Sequence, residues 1–582
     1  MTGIKYFMWG YQSHFQISVK VAAEELVKLL DKEIEIETFL LGLHPKPQPN
    51  QHPVCLEPED CGFETSHFES ALEDAKHHWA IDEDRDLLHM HPKMQAGADR
   101  QRDRRSIQTA ILSALDGHSR NRRIRYYCST AYPVAGYEVS VIAKVTFPER
   151  GIPYEVPRVY AEDRHAPDKS LFNIAVRRFL ALCASDLYSP NPEAVEGISR
   201  RRPEEIIHDS AGSLLTIPVF AAGGVQGLYG LFNSCVTISA LRYEGGESGG
   251  GIIIARPGHP NVEMCLLLKQ PVSMRQYRLL RKLLEISRGE RKLLSDGNCI
   301  FGVGKSTGTY NQMEADLFEV RFRKNHSWEL LHGGNVLTRV DAGNATLAPR
   351  VVDQHRFQSD LERILPQNNA ADIQLLYRLT MAATEQGHGA LIIIHPKAAD
   401  EASRLANQST LIEPRVLSPE DMPSLTSIDG AVLLDPMGTC FAIGVILDGQ
   451  AVPEGDPSRG ARFNSCIRYI ASQPPCLGVI ISEDGDIQWV PELYPLLSRF
   501  VYNEKCTKLK ELLKRQESDT SVSHNILNWM ESHAFYLSAE ICGAANELAA
   551  KIVAERKAEG ALYFNRPILT PNPNMNDSYF ND

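Results

Sequence analysis

The chain has 582 residues, 43% hydrophobic and 23% charged, so it is neither a disordered polymer nor a collagen-like fibre. At roughly 150 residues per domain it is too long for one core, and about three to five domains are expected. Its 73 acidic residues outweigh 61 basic ones, a net charge of -12, which excludes a chain that traps nucleic acid by bulk charge.

Twelve cysteines are sparse at this length and none forms a Cys-x-x-Cys pair, which reads as reduced thiols and not a disulfide framework or a structural zinc site. No run approaches the roughly 18 uninterrupted apolar residues of a membrane span. The opening MTGIKYFMWGYQSHF lacks the basic, apolar and small-residue order of a secretory signal. A cytoplasmic, multidomain protein is the expectation.

In chain order, SVKVAAEELVKLLDK carries Val19, Ala22, Leu26 and Leu29 at helical spacing. ETFLLGL follows as a strand and breaks into the loop HPKPQPNQHP. Residues 66–116 are polar and helical in character, 137–147 alternate as a strand, and LFNIAVRRFLALCASDLY is an amphipathic helix. A Pro- and Arg-containing connector marks a boundary near residue 200. Next, LLTIPVF, GLYGLFNSCVTISALRY and GGGIIIARP read as strands, SMRQYRLLRKLLEIS as a helix, and LFEVRFRKNHSWELLHGGNVLTRV as a hairpin turning at KNH.

From about 370 to 495, helix and strand alternate. IQLLYRLTMAATEQ is a helix and GALIIIHP a strand buried on both faces. IDGAVLLDPMGTCFAIGVILDG is two strands around a Pro-Met-Gly turn, FNSCIRYIA a helix, and LGVIISEDGDIQWV a strand pair. Such alternation predicts a sheet with helices on its faces. Three helical runs follow from about 500, and the Pro- and Asn-rich tail FNRPILTPNPNMNDSYFND is expected to be disordered. The fold class expected is an α/β and α+β multidomain chain, with α+β domains at 1–200 and 201–350, a mixed sheet flanked by helices at 351–500, and helices with a tail at 501–582.

Several motifs have plain readings. GVGKST (302–307) resembles the end of a Walker A loop, but Cys299 stands where that loop needs glycine, so a glycine turn after a strand is preferred. GGVQG (223–227) precedes a strand-like run where a dinucleotide fingerprint wants a helix. His77, His78, His89 and His91 beside Asp82, Asp84 and Asp86 match no ligand spacing and read as a solvated, charged helix. The arginines of 100–125 read as a charged face or domain contact.

One ordered set stands above this background. Asp429-Gly430-Ala431 sits where a loop enters a buried strand. A carboxylate there can hold a divalent cation or take a proton from a hydroxyl, and the glycine lets backbone approach a ligand closely. Gly455 to Ser465 is a glycine-flanked turn running into a helix, whose start offers free N–H groups and partial positive charge at Gly460 and Ala461. Arg459 and Arg462 add cationic donors, Asn464 and Ser465 neutral ones, and Ser482-Glu483 closes a later strand. From spacing alone the set suits a metal-assisted nucleotidyl transfer, and equally a capped turn with solvated acids.

GALIII (389–394), IDGAVLLD (428–435), GARFNS (460–465) and VIISEDGDI (479–487), in this order, resemble the diadenylate cyclase domain, the nucleotide-binding domain of the DNA-integrity scanning proteins. The resemblance implies a mixed sheet flanked by helices that binds one ATP per protomer. Two such domains face each other, so a homo-oligomer is expected, and two ATP become cyclic di-AMP and pyrophosphate with Mg²⁺ or Mn²⁺. It implies that Asp429 organises metal and activates the ribose hydroxyl. Gly430 and Ala431 would line ribose and base, and Glu483 would assist the metal. The family's phosphate loop reads Gly-Thr-Arg-His-Arg, whereas here Gly460-Ala461-Arg462-Phe463-Asn464 keeps only the glycine and the first arginine. Three functions follow as expectations: a divergent cyclase governed by upstream domains, a nucleotide sensor without turnover, or a scaffold with a nucleotide-like remnant. No membrane and no strong nucleic-acid partner is expected.

Overall fold

The computed structural model describes residues 7–31, 34–49, 51–82, 91–118, 123–148, 153–157, 170–188, 201–224, 230–244, 249–287, 289–347, 354–365, 370–384, 389–453, 455, 459–473, 475–482, 487–515, 520–558 and 566–581. The chain forms two compact units, one of residues 2–348 and one of residues 349–582.

Among its described residues the first unit holds two sheets. In the first, Val54–Glu57, Glu35–Leu43, Tyr137–Thr146 and Ile124–Cys128 lie side by side, all antiparallel, with Tyr132–Val134 also paired to Tyr137–Thr146. Period-two alternation assigns the faces: Leu40 joins the core with the helix Gln12–Leu30, while Phe39 and Leu41 join Ala71, Ile111 and Leu115 on the other side. Arg102 and Arg104 pack within this layer. Arg102 lies 4.1 Å over the Trp79 ring and 2.8 Å from Asp99, and Arg104 lies 4.6 Å over Tyr132. His77 and His78 lie on the helix Ala71–Ile81, while His89, Asp84 and Asp86 lie outside the described residues. Among the described residues no three His, Cys, Asp or Glu side chains gather as a metal site.

The second sheet has eight strands among the described residues, and three segments of this region differ from expectation. LLTIPVF is the end of the helix Pro203–Leu214 followed by Thr216–Ala221, and GLYGLFNSCVTISALRY contains the helix Leu231–Ala240. The buried set Leu231, Phe232, Cys235, Ile238 and Ser239 has helical spacing, which the β-branched and aromatic content had outweighed. GVGKST lies inside the strand Cys299–Ser306 and not in a turn after it. Its glycines admit the facing strand: a Cβ on Gly302 would lie 2.6 Å from the Leu266 carbonyl oxygen.

The second unit is built on a six-stranded mixed sheet. Its order is Thr410–Val416, Thr439–Val445, Ala431–Leu434, Ala390–Ile394, Leu477–Ile481, Ile487–Val490. Ala390–Ile394 runs parallel to Ala431–Leu434 and antiparallel to Leu477–Ile481. Both faces are buried, which is why these strands read as unbroken apolar runs. Ile392, Ile394, Val432 and Leu434 pack with Phe357, Leu361 and Leu376 of the helices Gln354–Ile364 and Ala370–Ala382. Leu391, Ile393, Ala431 and Leu433 pack with Ala398, Ala402, Cys466 and Tyr469 of the helices Ala398–Arg404 and Ala461–Ser472. Each fully buried aliphatic side chain contributes roughly 1.5–3 kcal/mol.

Helices Arg499–Lys514, Thr520–Ser532 and Ala539–Ala558 share a core of Leu509, Leu512, Leu527, Met530 and Leu548. The tail expected to be disordered is docked instead. Phe580 and Asn581 pair with Leu497 and Ser498, and Tyr579 is buried against Phe535. Its two terminal aromatics supply apolar area that the Pro- and Asn-rich stretch before them lacks.

Candidate functional site

Strand directions bring four backbone ends to one rim of the mixed sheet. Leu391 is level with Ala431, Ala390 with Ile481, and Ala431 with Val445. The chain entering the two parallel strands, Gly389 and Asp429-Gly430, therefore meets the chain leaving their antiparallel neighbours, Gly444-Val445 and Ile481-Ser482.

Two glycines make the rim tight. Gly430 has φ +109°, and a Cβ there would sit 2.5 Å from the Gly444 carbonyl carbon. Gly444 has φ +60°, and its own Cβ would lie 3.4 Å from the Asp429 carbonyl oxygen. Backbone packs directly on backbone, which leaves the Asp429 side chain 97% exposed above the rim. Ala431, the first residue of its strand, is buried beneath it.

Arg462 reaches this rim from the first turn of Ala461–Ser472. Its Nη2 donates to Asp429 Oδ1 at 3.4 Å, and its Nη1 lies 2.8 Å from where a Cβ of Gly389 would stand. The guanidinium thus occupies the space that Gly389 leaves open. The carboxylate and the cation are separated by 33 residues in sequence and share one edge of the sheet.

The other expected residues are placed unevenly. Gly460 is the N-cap and has no side chain to close the helix start, whose first-turn N–H groups carry the partial positive charge of the helix. Ala461 is exposed beside it and Ser465 is half-buried. Arg459 turns away from Asp429: it lies 4.0 Å over the Phe463 ring and donates to Gln488 on Ile487–Val490. Asn464 directs its amide to the turn carbonyls of Arg459 and Gly460, at 2.9 and 3.3 Å. Ser482 is half-buried just past Leu477–Ile481, and Glu483 lies outside the described residues. Gly389, Gly444 and Gln488 were not singled out from sequence. The glycines sit at strand ends, but their partners lie in distant segments.

One exposed carboxylate does not make a protein cage for a cation. Magnesium, however, takes one or two carboxylates and fills its shell with phosphate and water oxygens. Asp429 fits that mode, since its carboxylate projects into solvent beside a helix start suited to phosphate.

Residues 380–492 match the family described as DisA bacterial checkpoint controller nucleotide-binding. Residues 8–215 match the Probable sensor domain DACNG, and residues 229–334 the Probable sensor domain DACNH. Two solved structures are similar at 19% identity and a TM-score of 0.19, each over 23% of this chain. One is a hypothetical membrane spanning protein from Bacillus cereus, of which 65% is covered, just under two thirds of its length. The other is a double mutant of DacA from Staphylococcus aureus, of which 95% is covered. No curated protein matches. No helix among the described residues is long and apolar enough to cross a membrane.

Proposed function

We propose that the chain is a divergent diadenylate cyclase, a reading supported by the match of residues 380–492 to the DisA nucleotide-binding family. It condenses two ATP into cyclic di-AMP, in the cytoplasm, under control of the upstream domains. The four-part division at 1–200, 201–350, 351–500 and 501–582 belongs to the same proposal. The observation that carries it is the Asp429–Arg462 pair at 3.4 Å, on a rim of strand ends beside a glycine-capped helix start.

In this reading the 3′-hydroxyl of each ATP attacks the α-phosphorus of the ATP on a facing second copy. Two P–O bonds form, two α–β P–O bonds break, and two pyrophosphates leave. Asp429 accepts the hydroxyl proton. Arg462 and the amides at Gly460 and Ala461 hold phosphate oxygens, with charge-assisted bonds the strongest of these. Gly430 allows ribose and base to approach the backbone, the buried Ala431 supports the rim beneath it, and Ser465 and Ser482 supply neutral donors. Mg²⁺ or Mn²⁺, held by Asp429 with Glu483, would neutralise phosphate charge when bound.

The altered loop favours a second reading, a nucleotide sensor without turnover. Phe463 lies beneath Arg459, and Asn464 engages the turn carbonyls. Purified protein with ATP and Mg²⁺ or Mn²⁺, its products resolved by chromatography beside Asp429→Ala, separates the two. Cyclic di-AMP and pyrophosphate lost in the variant support the cyclase. Calorimetric binding of ATP without product supports the sensor, and absence of binding ends both.

A further inference from the structure

A polar network lies on the face of the sheet covered by Ala461–Ser472, behind the rim. The Arg404 guanidinium is held on two sides. It donates to both Asp448 oxygens, at 2.6 and 2.8 Å, and to both Glu401 oxygens, at 2.9 and 2.5 Å. Glu401 Oε1 also accepts the Tyr469 hydroxyl at 2.7 Å. Tyr469 is fully buried and Glu401 nearly so, while Arg404 and Asp448 are half-exposed. Arg404 holds both carboxyls below their ordinary range, so both are ionised at neutral pH.

The half-exposed Arg404–Asp448 end adds little to stability, because solvent screens it. The buried Glu401 end is different, since a desolvated carboxylate that loses a donor is left uncompensated. The value of the network is therefore geometric. Glu401 and Arg404 lie on the short helix Ala398–Arg404. Asp448 lies on the loop leaving Thr439–Val445, and Tyr469 on the Ala461–Ser472 helix. A second clamp joins that loop directly to the Ala461–Ser472 helix: a Cβ on Gly449 would lie 2.6 Å from the Arg468 backbone.

These contacts form a continuous path. Asp429-Gly430 packs on Gly444, the strand of Gly444 leads to Asp448, and Arg404 with Glu401 passes the tie to Tyr469. Tyr469 lies seven residues, about two turns, beyond Arg462 on one rigid helix. We propose that Glu401, Arg404, Asp448 and Tyr469 are positioning residues that set Arg462, and the helix start behind it, against Asp429. The inference rests on the reading of Arg462 as a phosphate contact.

Tyr469→Phe removes one hydroxyl and keeps the core filled. ATP affinity of the full chain is measured by calorimetry with Mg²⁺, beside thermal melting, for wild type, Tyr469→Phe, Arg462→Ala and the double variant. The expected result is about a 2- to 12-fold affinity loss for Tyr469→Phe, the range of one typical hydrogen bond, and no further loss when it is added to Arg462→Ala. Arg404→Lys, which keeps charge but not the planar fork, should act in the same direction and serves if Tyr469→Phe does not fold. Two results overturn the proposal: losses that multiply in the double variant, or a lowered melting temperature with unchanged affinity. If Arg462→Ala itself binds as wild type, the reading of Arg462 falls first and takes the proposal with it.

Discussion

Gly389→Ala should separate binding from folding at this site. The new Cβ would lie 2.8 Å from Arg462 Nη1 and 3.1 Å from the Ile481 carbonyl oxygen. The nearer atom is the far end of a flexible side chain, so it can swing aside. The carbonyl must yield by a few tenths of an ångström. Gly389 does not have a left-handed φ, so alanine fits its backbone. Stability should change by no more than about 1 kcal/mol, small for a core-edge substitution. The displaced guanidinium, however, loses its place beside Asp429. A hydrogen bond to a charged group is worth about 1.5–3 kcal/mol, which at 1.4 kcal/mol per decade is roughly a 10- to 150-fold weaker nucleotide complex. Titration calorimetry with a non-hydrolysable ATP analogue and Mg²⁺, paired with differential scanning fluorimetry, reads both quantities. The reasoning is refuted if Gly389→Ala binds as wild type while Arg462→Ala does not, because Arg462 would then need no vacant Cβ position.

Gly430→Ala should behave in the opposite way. A φ of +109° and a Cβ 2.5 Å from the Gly444 backbone leave nothing flexible to move; the backbone penalty alone is about 1–3 kcal/mol, and a melting temperature equal to that of wild type would contradict it. The pH dependence follows from Glu401 and Asp448, whose folded values Arg404 lowers below the ordinary 4.5 and 3.8. Their contribution is complete above those ordinary values and is lost as pH falls through them to the folded ones. The stability gap between wild type and Arg404→Met should therefore be widest near neutrality and narrow in acid; a gap constant across that range, measured by urea unfolding at successive pH values, would count against the network.

Much of the second unit is legible in the sequence because its signals are local. Ala390–Ile394 is a short apolar run with three consecutive isoleucines between Gly389 and Pro396, and that β-branched content with its flanking breakers selects a buried strand, while Pro436 to Gly438 mark the turn between Ala431–Leu434 and Thr439–Val445. The helix start at Gly460 is likewise announced by its glycine and arginines. Other features depend on pairings that span the chain. Gly389 is a glycine before a strand until Arg462 is seen to fill the space beside it. Glu401 and Arg404 form an ordinary surface-helix pair until Asp448 and Tyr469 arrive, 44 and 68 residues from them. The two misread segments before residue 243 fail for a local reason: short apolar runs of Leu, Ile, Val and Phe satisfy strand and helix templates alike. Buried tails are harder still, since the surface that receives Tyr579 is assembled from residues more than forty positions earlier.

The meeting of Gly430 with Gly444 bears on how such a domain can change over generations. When a large residue invades a core, a neighbour can usually shrink to make room. Here both partners are already the smallest amino acid, so neither can retreat further. A lineage that acquires a side chain at one of them can recover only by bending the hairpin itself. Genetic suppressors of Gly430→Ala should accordingly map to the 435–438 turn or to the strand flanks, and never to position 444.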